Sequence, residues 1–492
     1  MAQTSDSLTA ADEKARLPVA VLGAGPVGLA SAAELIVRGE MPVLFEEGPE
    51  VGAAVREWAH VRIFSPWRYS IDPAARQLLT ESGWSAPPDE GYPTGGELID
   101  RYLAPLSALP QIARAIHLNS KVVAISREGI DKMTSTGRAD RPFDLRVVTT
   151  EGIESVRARA VIDASGTWRS PNPLGADGLK AVGEAEAATR IFYGIPDILG
   201  RHRERYAGRR VLVVGRGHSA FNALLDLMAL KDQEPTTQIV WATRKLLTLV
   251  ALGGGDADAL PERAKLGGQV QSLILDEKLI PLEGFAIQRV RIEPDGVHVA
   301  AKDGRTVLVD EIVCATGYRP DLSLTSELRL KLDEIVEAPI ALAPLIDPNV
   351  HSCGTVPPHG ESELAHPEKG YYGVGMKSYG RAPTFLMLTG YEQVRSIACA
   401  LTGDEEGARK VELVLPKTGV CSADVVRPAF SDTRRESAHF EGVKRLPIMA
   451  ALTSPCCEGE AHGGGCCLPS ETSVRSRRKP RRPAIRDPVA RQ

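Results

Sequence analysis

Several features that would mark an exported, membrane-spanning or nucleic-acid-binding protein are missing from this 492-residue chain. Glycines and charges interrupt every apolar run before it is long enough to cross a bilayer. The opening MAQTSDSLTAADEKARLP has neither the basic start nor the apolar stretch of a secretory signal, so a cytoplasmic location is expected. A formal net charge of −4 gives no electrostatic reason to expect nucleic acid or an anionic membrane as partner. No short period recurs, which excludes solenoids and propellers. Among the 8 cysteines there is no C-x-x-C, so the redox-active dithiol of that spacing is absent. Without an export context, a disulfide framework is not expected either.

What is present reads as a globular protein of more than one domain. The chain is too long for one ordinary core, and its 43% hydrophobic and 25% charged residues are typical of a soluble fold. PVAVLGAGPVGLASAAELIVRGEMPVLFEEG reads as strand, glycine-rich turn, helix and strand, and RRVLVVGRGHSAFNALLDLMAL followed by TQIVWATRK repeats that grammar. A duplicated mononucleotide-binding unit is therefore expected, in an α/β fold. A helix is predicted over 96–109, and strands at KVVAISR, FDLRVVTT, AVID, RVRIEP and GVHVAAK. YYGVGM reads as a strand leading to a long helix that begins near Pro383. Residues 1–16 and those beyond about 425 are polar and expected to have little fixed structure.

The first turn is Gly23-Ala24-Gly25-Pro26-Val27-Gly28. Gly23 permits the tight bend, Gly25 lets a diphosphate approach the backbone, and Gly28 lets helix and strand pack closely. The helix start adds N–H donors and a partial positive charge. Glu46 ends the second strand about 20 residues on, where a carboxylate can accept from both ribose hydroxyls; Glu47 is its rival. The second turn, Gly215-Arg216-Gly217-His218-Ser219-Ala220, has the same form. Its second strand ends in Arg244 and Lys245, which would attract a 2′-phosphate where an acid would repel it. NADPH is therefore favoured over NADH there, the bland alternative being two solvated charges. Gly166 in ASGT and Gly317 in ATGY close two apolar strands, as expected where the chain crosses between domains near a cofactor.

Over residues 17–405 these motifs resemble the flavoproteins with two dinucleotide-binding domains. GRGHSA and ATGY are similar to segments of the flavin-containing and Baeyer–Villiger-type monooxygenases. Phe192, Gly194, His202 and Tyr206 match their F-x-G-x-x-x-H-x-x-x-Y signature, but four extra residues separate Gly194 from His202. VREWAHVRIFSPWRYSIDPAA, YGIPDILGRHRERYAGRR, APLIDPNVHSCGTVPPHG and GMKSYGRAPTFLMLTGYEQVRS resemble the flavin monooxygenases of actinobacterial arsenic-resistance operons. The resemblance implies a glutathione-reductase-type architecture, with the NADPH domain (186–325) inserted into an FAD domain (17–185 and 326–405), followed by a Cys- and Arg-rich tail (406–492). It implies FAD, NADPH and O₂, and a flavin peroxide that oxygenates a soft nucleophile such as a trivalent arsenical. A flavin-dependent NADPH reductase serving a partner or quinone is the alternative, and a non-enzymatic metalloid-binding flavoprotein the second. Whether the chain acts as monomer or homodimer is open.

Arg56, Trp58, Arg62, Trp67 and Arg68 form a cationic–aromatic segment in the position from which this family covers the flavin. They are catalytic candidates, weighed against snorkelling surface arginines. Gly375, Met376 and Lys377 occupy the turn that faces the flavin in such proteins, without their usual Gly-Asp. Thiolate suits soft As(III), which makes Cys353 the first candidate ligand and Cys421, Cys456, Cys457, Cys466 and Cys467 further ones. Zinc binding, oxidation or no role at all compete for the paired cysteines. Cys314 and Cys399 read as core and helix-face residues. His351, His359 and His366 match no zinc spacing, so no metal site is expected. RSRRKPRRP (475–483) reads as a solvated basic run.

Overall fold

The computed structural model describes residues 14–247, 252, 260–350, 356–382 and 386–413. Cys353, Cys421, Cys456, Cys457, Cys466 and Cys467 lie outside the described residues, as does His351.

Two five-stranded parallel sheets organise the chain. In the first, the order is Tyr371–Gly373, Ala160–Asp163, Val19–Leu22, Pro42–Phe45, Ile116–His117. The second has the order Pro281–Glu283, Gln238–Thr243, Arg210–Val214, Glu311–Cys314, Ile191–Tyr193. The first sheet's outermost strand, Tyr371–Gly373, comes after the whole second sheet, so the second unit is inserted into the first. Each parallel sheet also carries a three-stranded antiparallel sheet just ahead of a central strand. These are Lys121–Arg127, Phe143–Thr149 and Gly152–Ala158 before Ala160–Asp163, and Ile287–Glu293, Gly296–Ala301 and Thr306–Val309 before Glu311–Cys314. The duplication thus extends beyond the glycine-rich turns. It includes a three-stranded antiparallel sheet in each unit, whose strands share no sequence motif that would show the repeat.

The helix Pro26–Val37 is buried almost all round, because the long helix Met387–Leu401 packs over it. Its low amphipathicity in sequence has this cause. The predicted helix over 96–109 runs as Gly95–Leu98, a π segment at Ile99–Leu103, and Ala104–Ser107. Thr94 and Glu97 close its start as a capping box. Pro105 has no N–H to give the Arg101 carbonyl, and the Trp84 indole donates to that carbonyl at 3.0 Å instead.

The two crossovers between the units are bonded to each other. Asn172 N–H donates to Gly317 O at 2.9 Å and Arg319 N–H to Ser170 O at 3.0 Å. The rings of Trp168 and Tyr318, one on each crossover, stack with centroids 4.9 Å apart.

Candidate functional site

The two turns sit at equivalent places, each at the carboxyl end of a central parallel strand. Gly23 has φ +92° and Gly215 φ +137°, conformations that favour glycine. Gly25 is the N-cap of Pro26–Val37 and Gly217 that of His218–Gln233, and neither cap receives a side-chain hydrogen bond. No cap side chain therefore takes up the amides of Val27 and Gly28 at the first helix or of Ser219 and Ala220 at the second. At both Gly25 and Gly217 a Cβ would point into open space. The glycines are needed not by the fold's own packing there but by something that must approach the backbone. An extended anionic diphosphate fits both cradles on these grounds.

Behind each cradle the contacts are tight. A Cβ at Gly28 would overlap the Gly23 carbonyl oxygen. In the second unit Ala220 holds that position, and the helix stands off enough to admit it. The Trp241 indole, fully buried, donates to Gly215 O at 2.7 Å and fixes the second turn from below.

Glu46 lies at the first cradle, its carboxylate accepting from Ala24 N–H at 2.7 Å and Gly48 N–H at 2.8 Å. Glu47 instead pairs with Lys121. In the second unit Arg244 donates to Ala176 O at 2.7 Å, and Lys245 is exposed. His218 opens the second helix with its ring against Phe64 and Phe221, Ser219 follows it, and Phe64 carries the Trp/Arg segment up to this cradle.

The catalytic candidates are distributed unevenly. Arg56 pairs with Glu50 and Asp100, each at 3.2 Å, and Arg68 pairs with Glu90. Arg62 donates to Tyr92 O at 2.6 Å. Trp67 is only 2% exposed, in the core, and the Trp58 ring packs beside Gly95. These side chains tie the segment to residues 89–100. Lys377 is different: it is 3% exposed and donates to the fully buried Asp163 at 2.6 Å and to Ser165 Oγ at 3.0 Å. Asp163 also accepts from Tyr371 OH at 3.0 Å, and burial with the Asp163 charge pushes the Tyr371 hydroxyl well above its usual pKa.

This cluster adjoins the first cradle. A Cβ at Gly23 would come within 2.9 Å of Ala164 O, next to Ser165, and Gly375 (φ +64°) has the Val27 side chain at its open face. Met376 continues a short 3₁₀ turn, Gly375–Tyr379, and the helix predicted from near Pro383 is observed from Met387. Gly166 (φ +68°) and Gly317 (φ +89°) are the left-handed corners of the two crossovers.

Sequence reasoning missed Asp163 and Glu57. Asp163 had a signal, an acid ending the apolar strand AVID. Glu57 had none; it accepts from Trp168 Nε1 at 2.7 Å and pairs with Arg169, binding the Trp/Arg segment to a crossover.

Of the interrupted F-x-G…H…Y set, Phe192 and His202 meet. The Phe192 and His202 rings lie 5.1 Å apart, and Tyr206 is fully buried. The four extra residues form a local turn in which the Asp197 carboxylate accepts from Gly200 N–H and Arg201 N–H.

His359 and His366 are buried and hydrogen-bonded, to Gln393 and Pro357 and to Lys331 N–H respectively. Burial pushes His366 down to about 4, from 6.5 in an unfolded chain. Its neutral form belongs to the fold, so its contribution to stability should be full above pH 6.5 and vanish as pH falls toward 4. A His366→Gln variant should flatten that part of a pH–melting profile; an unchanged acid limb would remove His366 as its source.

No family model matches the chain. A ferredoxin–NADP reductase of Granulibacter bethesdensis is 27% identical over 321 residues, 64% of this chain and 74% of the relative. Among solved structures, the bacillithiol disulfide reductase of Bacillus cereus superposes with a TM-score of 0.56 at 17% identity, covering 79% of this chain and 99% of that one. The ornithine N-hydroxylase of Kutzneria gives 0.53 at 16%, covering 79% and 99%. The chain shares the fold of these two solved structures. Among the described residues no helix is long and apolar enough to cross a membrane.

Proposed function

We propose that this protein is an FAD- and NADPH-dependent oxidoreductase. Within that class we read it as a monooxygenase that places one atom of O₂ on a soft nucleophile, a trivalent arsenical being the first candidate. The observation that carries the reading is the pair of open glycine cradles with opposite chemistry at their rims, the acid Glu46 at the first and the bases Arg244 and Lys245 at the second.

In the first cradle the Gly25 turn and the Pro26–Val37 amides would hold the FAD diphosphate, and Glu46 its ribose hydroxyls. The second cradle would hold the NADPH diphosphate on Gly217 and the helix from His218, with Arg244 on the 2′-phosphate. FAD, when bound, accepts hydride from NADPH and passes the electrons on. For the oxygenase, substrate, O₂, NADPH and a proton give oxygenated substrate, water and NADP⁺. Lys377, held at the first cradle by Asp163, contributes a fixed cation beside the cofactor's place. The segment Arg56–Trp67, tied to residues 89–100 and touching His218 through Phe64, would cover the cofactor from that side.

The meeting of Phe192 with His202 supports the monooxygenase over a plain reductase. The reductase remains as second reading because the relative from Granulibacter is a ferredoxin–NADP reductase. One experiment separates them. NADPH and O₂ consumption are followed with inorganic and methylated As(III), thioethers and amines. Substrate-stimulated oxygen uptake with oxygenated product is the expected result. Anaerobic turnover with an artificial acceptor and no oxygenated product would transfer the assignment to the reductase. No stimulation by arsenicals would drop that substrate class.

Arg244→Ala should raise KM for NADPH about tenfold or more while leaving NADH use nearly unchanged, as expected for loss of a charge-assisted contact. Equal effects on the two nucleotides would remove the phosphate role.

A further inference from the structure

The internal repeat allows the two cradles to be compared residue by residue. In the first sheet Leu22 pairs with Phe45, and Gly23 N–H donates to Phe45 O. In the second, Val214 pairs with Ala242, and Gly215 N–H donates to Ala242 O. Gly23 therefore corresponds to Gly215, and Phe45 to Ala242. It follows that Ala24 corresponds to Arg216, Glu46 to Thr243, and Glu47 to Arg244.

In the first cradle Ala24 N–H touches the Glu46 carboxylate at 2.7 Å, so the motif's second residue abuts the place where a ribose is read. Its counterpart in the second cradle is an arginine. Charge therefore differs at all three of these paired positions. A small residue and an acid have become Arg216 and the hydroxyl of Thr243, with Arg244 next to it.

The Arg216 side chain follows that geometry. It leaves the glycine-rich turn and reaches the segment after the second strand, donating to Leu246 O at 3.3 Å. Among the described residues no carboxylate pairs with Arg216 or with Arg244, and carbonyl oxygens are the only acceptors each one meets. Loss of solvent and, next, the charge of Arg244 hold the Arg216 guanidinium below its usual value. Two guanidiniums whose charges act on each other, with no carboxylate among the described residues paired to either, become favourable neighbours once an anion sits between them.

We propose that Arg216 is a second specificity-determining residue, which grips the 2′-phosphate of NADPH together with Arg244. The inference rests on the NADPH reading and adds to it a residue in the glycine-rich turn itself. Selectivity is then split between two strand ends, so neither arginine alone accounts for it.

The test uses the FAD-loaded full chain, titrated calorimetrically with adenosine 2′,5′-bisphosphate and with 5′-AMP. The wild-type protein should prefer the bisphosphate. Arg216→Ala should lower that preference about tenfold, the equivalent of one charge-assisted contact, and leave 5′-AMP binding unchanged. Arg216→Lys, which keeps a point charge but loses the bidentate fork, should restore part of it. If Arg216→Ala keeps the full preference while Arg244→Ala abolishes it, the role of Arg216 is overturned and the NADPH reading stands. No preference in the wild-type protein would overturn the NADPH reading itself. A melting curve for each variant identifies loss of fold, and Arg216→Lys then decides the matter.

Discussion

Lys377→Met should lower the unfolding free energy by about 3–5 kcal/mol, because it leaves the Asp163 carboxylate charged and buried without its cation. The isolated charge costs more than the pair contributes, since Asp163 has no exposed surface through which water could replace the ammonium. The double variant Asp163→Asn with Lys377→Met should recover much of the loss. Denaturant unfolding of the four proteins completes the cycle. Additive effects would mean that the 2.6 Å contact contributes nothing as a pair. Ser165 connects this cluster to the first cradle, so the single variant should also retain less FAD after purification than the double one.

Gly28→Ala is expected to empty the first cradle. The added Cβ would overlap the Gly23 carbonyl oxygen, and that atom belongs to the turn that must receive the cofactor. Ordinary overpacking costs about 1–3 kcal/mol, and a backbone atom has less freedom to yield than a side chain. The variant should therefore be isolated colourless, or lose its yellow colour on dialysis, while wild type keeps it. Ala220→Gly is the control. It removes a methyl group for which the second unit has room, so NADPH binding should change by no more than the helix propensity of glycine, about 1 kcal/mol. A yellow, stable Gly28→Ala protein would contradict the close approach of helix and turn.

Both cradles were legible in the sequence because their chemistry is local: glycines, helix start and strand end lie within 30 residues of one another. The places of Glu46 and Arg244, just past the second strand of each unit, follow from the same local spacing. Lys377 could be singled out by its turn, but not its partner, since Asp163 is 214 residues away and meets it only when Tyr371–Gly373 joins the sheet edge. The π segment was hidden as well. Pro105 announces a missing hydrogen bond, yet only the arrival of Trp84 shows that the helix continues through it. Arg216 stayed unremarked because position two of a glycine-rich turn has no general meaning until strand register sets it opposite Ala24. The interruption before His202 looked like a departure from pattern. It costs little because a turn closed by its own aspartate absorbs added residues at the surface.

The stacked, hydrogen-bonded crossovers at 168–172 and 316–319 constrain how the nucleotide units can move. Two separate linkers would let one unit swivel freely against the other. Linkers laced together behave as a single axle, permitting a swing about one line and opposing twist. The carboxylate of Glu57, bonded to Trp168, ties that axle to the stretch leading into Trp58. Any swing of one unit about that axle must therefore pull on Glu57 and on the Trp58 ring packed beside Gly95.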